Sequence, residues 1–447
     1  MRRVLGLLIV ALVSGTALSS SQAGLPISDI SVPVAGAAPA QSRTSTTDVV
    51  SVYQTSVMSL DVYSRATAAA AIAGGAWVAS RGASVPMDRV MRGAAIVQQP
   101  EIAGYHFPMS ATVLPTSAVA PLMGRDVAAV LARGQLVMGA TTASLRGAQV
   151  GDTVDIESSA GSTVTFAIGM IAADALIGGT ELLISPEGGD LLGIANVTSI
   201  LIWGFPSRAG LNTALAGQGL DPRSDTRIRR TWDAFDPDLT LSMAQTKALL
   251  GEFAYKVRSN GIEADVTPTW EATYIPADRE LYPTGIRARC NATIKADLRA
   301  ALQEVVDTGL SGAIDVVNAN TDGGCYYPRF NRVTGNLGYL SRHSWGQPLD
   351  TNTSTNSQGS VPQMDCRVVL IFRKHNFAWG GNFLTSDGMH FEWVGQRRDQ
   401  FPYPSKYCPN LVTVLGTNAV PGAPESAPAN MTVRATLLQN NGWELND

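Results

Sequence analysis

Histidine and cysteine are both scarce in this chain, with four of each in 447 residues. All four cysteines, Cys290, Cys325, Cys366 and Cys408, fall in the last third, and their spacings of 35, 41 and 42 residues contain no Cys-x-x-Cys pair, which argues against a thiolate-built structural zinc site. Long basic runs are missing as well. With 33 Lys and Arg against 37 Asp and Glu the net charge is −4, and the short stretch RIRR at 227–230 gives no sign of a nucleic-acid partner. The apolar run at 4–13 falls short of the ~20 residues that a membrane-spanning helix needs.

What is there begins with an export pattern. Residues 1–23 carry Arg2 and Arg3, the short apolar run and a Ser-Gln-Ala end suited to signal peptidase, so they read as a signal peptide, with a retained N-terminal membrane anchor as the alternative. The absence of cysteine there excludes lipidation. In an exported chain the four cysteines are expected to form two disulfides, most simply Cys290 with Cys325 and Cys366 with Cys408, because sequence neighbours close the shorter loops.

A chain of this length predicts two or three domains. Residues 24–47 are Ala, Pro and Ser-rich and read as a linker. Residues 48–220 read as a mixed α+β module: GDTVDIES and STVTFAIGMI alternate apolar and polar residues, ELLIS and TSILIWGF add strands, and GRDVAAVLARG suggests a short helix closed by Gly134. A polar, proline-marked stretch with a helix-like SMAQTKALLGEFAYKV makes 221–267 a connecting segment. Within 268–415, NATIKADLRAALQEVVDTG predicts an amphipathic helix with Asn291 or Thr293 as its cap and Gly309 at its end. Residues 416–447 read as a Pro and Ala-rich tail.

Three of the four histidines, His343, His375 and His390, lie within 48 residues of one another. In SRHSWGQPLDTN (341–352) an imidazole and a carboxylate stand seven residues apart. Gly346 and Pro348 argue against a helix there, so the chain is expected to turn and bring His343 near Asp350. A catalytic zinc site takes three protein ligands and leaves one position open, and one further histidine would complete such a set. His375 sits among charges in RKHNF. His390 sits in SDGMHFEWV, three residues after Asp387, and a carboxylate beside a ligand can act as a general base. No other cluster in the sequence offers three ligands, so one zinc per chain is expected.

The segment from about 270 to 408 resembles the zinc D-Ala-D-Ala carboxypeptidase and L-alanyl-D-glutamate endopeptidase family, which includes vancomycin-resistance peptidases and phage endolysins. The family pattern S-x-H-x-x-G-x-x-x-D is met by Ser341, His343, Gly346 and Asp350, with Pro348 where the family often has alanine. The closing pattern, W-G-G then D-x-x-H-F-E, is met by Trp379, Gly380, Gly381, Asp387, His390, Phe391 and Glu392. The resemblance implies an α+β zinc peptidase domain with a small antiparallel sheet, and a metal held by His343, Asp350 and His390. It also implies Asp387 as base, where the dipeptidase branch has glutamate.

GGCYYPRFNR resembles the family segment whose arginine faces the substrate, which implies Arg329, with Arg332 as the fallback. Ser341 is expected either to bind a substrate carboxylate or to shape the turn, and Glu392 to orient an imidazole. The family and the export pattern imply peptidoglycan stem peptides as substrate. A module that kept the fold and only binds cell wall is the competing reading. VGDTVDIE with STVTFAIGMI resembles the extracytoplasmic domains of FtsX-like ABC-transporter permeases, which implies a cell-wall or membrane-complex partner for the N-terminal module.

Overall fold

The structure, a computed structural model, describes residues 48–316 and 324–410. The expected signal peptide, linker and C-terminal tail lie outside the described residues. The class is mixed α+β.

Ten strands form the first sheet: β1 (Val49–Tyr53), β2 (Ala76–Arg92), β3 (Ala95–Gln98), β4 (Phe107–Val113), β5 (Leu136–Gly139), β6 (Thr153–Glu157), β7 (Thr163–Ala172), β8 (Leu182–Ile184), β9 (Val197–Trp203) and β10 (Arg227–Arg230). The strands expected from GDTVDIES, STVTFAIGMI, ELLIS and TSILIWGF are β6, β7, β8 and β9. The helix expected at GRDVAAVLARG is Arg125–Ala132, with Gly134 at φ +70° beyond it.

Strand β2 shapes this sheet. At 17 residues it rises roughly 55 Å, enough to pair with β9, then β4, and then β6. The pairing with β6 closes β2, β4, β8, β5, β7 and β6 into a barrel. Val85, Met87, Met109, Ile156, Phe166 and Ile168 are buried together in one of its apolar cores. Strands β9, β1 and β10 extend the sheet beyond β2. Residues 221–267, expected to connect, thus supply β10 from RIRR, where Arg229 and Arg230 pair with Asp236 and Asp221.

The second core runs from Met243 to Cys408. Its strands are two hairpins, β11 (Tyr255–Val257) with β12 (Ala264–Val266) and β13 (Glu280–Leu281) with β14 (Arg287–Ala288), and the antiparallel sheet β15 (Pro348–Asp350), β17 (His390–Trp393), β16 (Phe377–Trp379), in that spatial order. The helix expected at SMAQTKALLGEFAYKV is shorter, Met243–Leu250: Gly251 sits at φ +82°, and the chain then extends into β11. The predicted amphipathic helix is Lys295–Asp307, entered through a 3-10 turn in which the Asn291 side chain accepts from Thr293 N–H at 3.0 Å. It buries Leu298, Ala301, Leu302 and Val305, and each such leucine or valine contributes about 1.5–3 kcal/mol.

Both expected disulfides are present, Cys290 with Cys325 and Cys366 with Cys408. No described helix is long and apolar enough to cross a membrane. Buried charge joins the two cores. Lys247 Nζ from the helix Met243–Leu250 donates to Glu181 Oε1 at 2.7 Å beside β8 and also reaches Pro108 O on β4.

Candidate metal centre

The stretch 341–352 folds as its glycine and proline predict. Ser341 caps a 3-10 turn, Arg342–Trp345, its Oγ accepting from His343 N–H at 3.0 Å. Gly346 then takes φ +61°, and a side chain there would also place a Cβ 2.9 Å from Asn291 N. Pro348 opens β15, an edge strand, where a missing N–H is tolerated. The chain has reversed by Asp350, and His343 Nε2 lies 3.1 Å from its Oδ2.

Strand pairing supplies the third member. In the β15–β17 ladder Asp350 stands directly opposite His390, and His390 Nδ1 lies 3.1 Å from Asp350 Oδ1. Alternation puts Glu392, two residues on, on the same face as His390. Glu392 Oε2 therefore meets His390 Nε2 at 3.3 Å, while Gln347 Nε2 donates to Oε1 at 3.1 Å and Arg342 Nε stands 3.7 Å from it. On His343 the Nδ1–H donates to Cys325 O at 2.7 Å. A carbonyl can only accept, so the neutral ring turns its Nε2 lone pair toward Asp350. His390 has a carboxylate at each ring nitrogen, Asp350 at Nδ1 and Glu392 at Nε2, and in the tautomer that gives its Nε2–H to Glu392 the Nδ1 lone pair faces inward.

His343, Asp350 and His390 each offer a ligand atom, all within 4.8 Å of one another. Two imidazole lone pairs and one carboxylate converge on a point with the histidines 3 % and 1 % exposed. This is a set of acceptors, which a divalent cation satisfies, and the donor chemistry suits zinc. Burial pushes the Asp350 carboxyl up, but in their protonated form His343 and His390, through positive charge and donated hydrogen bonds, outweigh it and hold the carboxyl well below its usual range. His375 is not part of the group: it caps the helix Cys366–Lys374, with its Nε2 2.7 Å from Glu304.

Asp387, 1 % exposed, sits in the turn that leads into β17. Its carbonyl accepts from His390 N–H at 3.2 Å, and Gln358 Nε2 lies 3.4 Å from its Oδ2. The Trp-Gly-Gly motif is what lets this turn close. A Cβ on Gly380 would lie 2.6 Å from Asp387 O and 3.0 Å from His390 Cβ. Trp379 Nε1 donates to Gly388 O at 2.9 Å, and the buried Asp238 accepts from Trp379 N–H at 3.0 Å. Arg329, 4 % exposed, runs alongside the ligand turn: its carbonyl accepts from Ser341 N–H and its N–H donates to Ser344 Oγ.

The sequence reading overlooked a second group, Asp88, His106 and Glu157, in which each residue offers an atom within 4.8 Å of the others. Expecting a single such cluster was wrong because these residues lie far apart in the chain and meet only through β2, β4 and β6. Their arrangement is an imidazole set between two carboxylates. His106 Nδ1 faces Asp88 at 2.7 Å and its Nε2 faces Glu157 at 3.8 Å, so opposite ring nitrogens serve different carboxylates.

No curated protein matches the chain. Residues 334–393 match a family model described as D-alanyl-D-alanine carboxypeptidase, a segment that holds His343, Asp350, Asp387, His390 and Glu392 and supports a peptidase of that family.

Proposed function

We propose that the protein is an exported zinc peptidase that hydrolyses peptidoglycan stem peptides. The observation that carries this reading is the convergence of His343 Nε2, Asp350 and His390 Nδ1 inside the segment matched by the carboxypeptidase family. Zinc bound by these three groups supplies a Lewis acid for the scissile carbonyl and brings the pKa of water toward ~7. Asp387 takes the proton of the attacking water and delivers it to the leaving amine. Arg329, always charged, binds the substrate carboxylate or the negative charge that develops at the carbonyl, and its planar guanidinium can do either through two parallel hydrogen bonds. Cys325 O and Glu392 keep the two imidazoles turned inward. Ser341 serves the turn through His343 N–H.

Two disulfides suit an oxidising compartment, which supports export and agrees with the leader read in residues 1–23. Both a D-Ala-D-Ala carboxypeptidase and an L-Ala-D-Glu endopeptidase meet a free carboxylate near the scissile bond, so one arginine serves either. Digestion of purified peptidoglycan by the zinc-loaded protein, with mass spectrometry of the released fragments, tests the proposal. Loss of a terminal D-Ala or release of L-Ala-terminated glycan names the bond. Intact stem peptides after exhaustive digestion would leave a cell-wall-binding module instead.

A further inference from the structure

The turn that carries His343 is gripped from two sides. On one side runs a strap, residues 324–329. Gly324 O accepts from Asp350 N–H at 3.2 Å, Cys325 O accepts from His343 Nδ1 at 2.7 Å, and Tyr327 N–H donates to His343 O at 3.0 Å. Arg329 O then accepts from Ser341 N–H at 2.9 Å. The strap therefore fixes both the main chain around the first two ligands and the ring orientation of one of them. On the other side lie Cys290 and Asn291. Asn291 N–H donates to Gly346 O at 3.0 Å and its side chain to Trp345 O at 3.1 Å, closing on the same turn just past the ligand. The Cys290–Cys325 disulfide joins the two sides, with both cysteines at most 2 % exposed.

The two imidazoles are thus oriented by different means. His390 is held by a carboxylate, Glu392, on its own strand, where the strand ladder fixes the partner. The partner of His343 is a main-chain carbonyl on a segment with no regular secondary structure, and the covalent bond sits on the residue that owns that carbonyl. Cys366–Cys408 has no such relation: it ties the N-terminus of the helix Cys366–Lys374 to the end of the described chain.

We propose that the Cys290–Cys325 disulfide is a positioning element for the metal centre, which holds the Cys325 carbonyl against His343 and thereby makes metal affinity depend on the redox state of this one bond. The proposal rests on the zinc reading of His343, Asp350 and His390. Two electrons from a reductant, together with two protons, convert the disulfide to two thiols. A phosphine supplies the electrons and is oxidised to its oxide, with water furnishing the oxygen and the protons. With the link open the strap keeps its hydrogen bonds and the packing of Tyr326 beside Trp270 and Arg289 but loses its covalent tie at Cys325, so the His343 ring gains freedom and the cation loses an oriented ligand. Loss of such an orienting partner lowers metal affinity by roughly 10–100-fold.

The test compares zinc dissociation constants by competition with a chromogenic chelator for the wild type, Cys290→Ala/Cys325→Ala and Cys366→Ala/Cys408→Ala, with thermal unfolding of each. Both double variants are expected to lose stability, but only the first to lose zinc affinity by roughly 10–100-fold, with a changed visible spectrum of its cobalt-substituted form. Equal zinc affinity in the first variant and the wild type overturns the proposal. So does an equal loss in both variants, which makes the effect one of general stability. Where Cys290→Ala/Cys325→Ala does not fold, the Cys366→Ala/Cys408→Ala protein is titrated with a phosphine reductant, which then has one disulfide to open, and zinc affinity is expected to fall in step with thiol release. Unchanged affinity at full reduction overturns the proposal there too. A wild type that binds no zinc removes the zinc reading itself, an outcome distinct from any difference between variants.

Discussion

Lys247→Met probes how firmly the barrel is bound to the core that carries the metal centre. Lys247 Nζ is fully buried, 2.7 Å from Glu181 Oε1 and 3.5 Å from Glu252 Oε1. At an effective dielectric of 20 those separations correspond to attractions of about 6 and 5 kcal/mol, from which desolvation of each ion removes several kcal/mol. Methionine fills the space of the lysine stem but leaves Glu181 with Ser110 N–H, Ser110 Oγ and Arg146, whose nearest nitrogen is 3.9 Å away. Arg146 is already engaged with Glu252, so Glu181 becomes a poorly compensated buried charge. Breaking a buried pair from one side destabilises by roughly 3–5 kcal/mol, and that loss is expected in urea unfolding followed by circular dichroism. The double variant Lys247→Met/Glu181→Gln removes the orphaned charge while keeping an acceptor for Ser110 N–H, so it should be more stable than Lys247→Met alone. A loss below about 1 kcal/mol for Lys247→Met, or no recovery in the double variant, would refute the view that this ion cluster fastens the two cores.

The metal centre gives three further expectations. His390→Ala should lose zinc while His375→Ala keeps it, and metal analysis showing the reverse order would displace the third ligand. Asp387→Asn should retain zinc with turnover down by roughly 10²–10⁴-fold, the size of general-base catalysis, and Asp387→Glu should recover part of it; zinc release from Asp387→Asn would make the carboxylate a ligand. Gly380→Ala forces a Cβ against Asp387 O at 2.6 Å and should destabilise by roughly 1–3 kcal/mol as overpacking does, with weaker zinc binding measured alongside unfolding.

Local chemistry was legible in the sequence where it acts within a few residues. Gly346 and Pro348 announced the turn that brings His343 to Asp350, because a positive φ and a missing N–H leave few alternatives. The stripe Leu298, Ala301, Leu302 and Val305 announced its helix by spacing alone. Closure of the barrel was not legible. It depends on β2 serving β9, β4 and β6 in turn, and no local pattern in AWVASRGASVPMDRVMR says which strands lie beside it. The basic run RIRR read as linker because its arginines are polar, yet they form β10 once Asp221 and Asp236 neutralise them. The Cys325 carbonyl was invisible for a different reason: every residue has a carbonyl, and only the fold selects which one meets an imidazole.

The three residues of the candidate metal centre are fixed in two different ways. Asp350 and His390 face each other across one rung of the β15–β17 ladder, so a slip of one residue would send either side chain to the opposite face of the sheet. Gly324 bonds the other edge of β15 at Asp350, and Glu392 opposite Pro348 holds His390 through its second nitrogen. That half of the site is set by sheet register. His343 has no ladder. It stands on a 3-10 turn whose exit is held by Asn291, its ring is held by the Cys325 carbonyl, and a disulfide links Cys325 to Cys290, the neighbour of Asn291. A short turn brings an imidazole close to a strand without constraining its ring, and here the constraint comes from a covalent bond between residues that never touch the metal themselves. The entropy of aligning three ligands is therefore met when the chain folds and oxidises, which leaves less to be met when a cation binds.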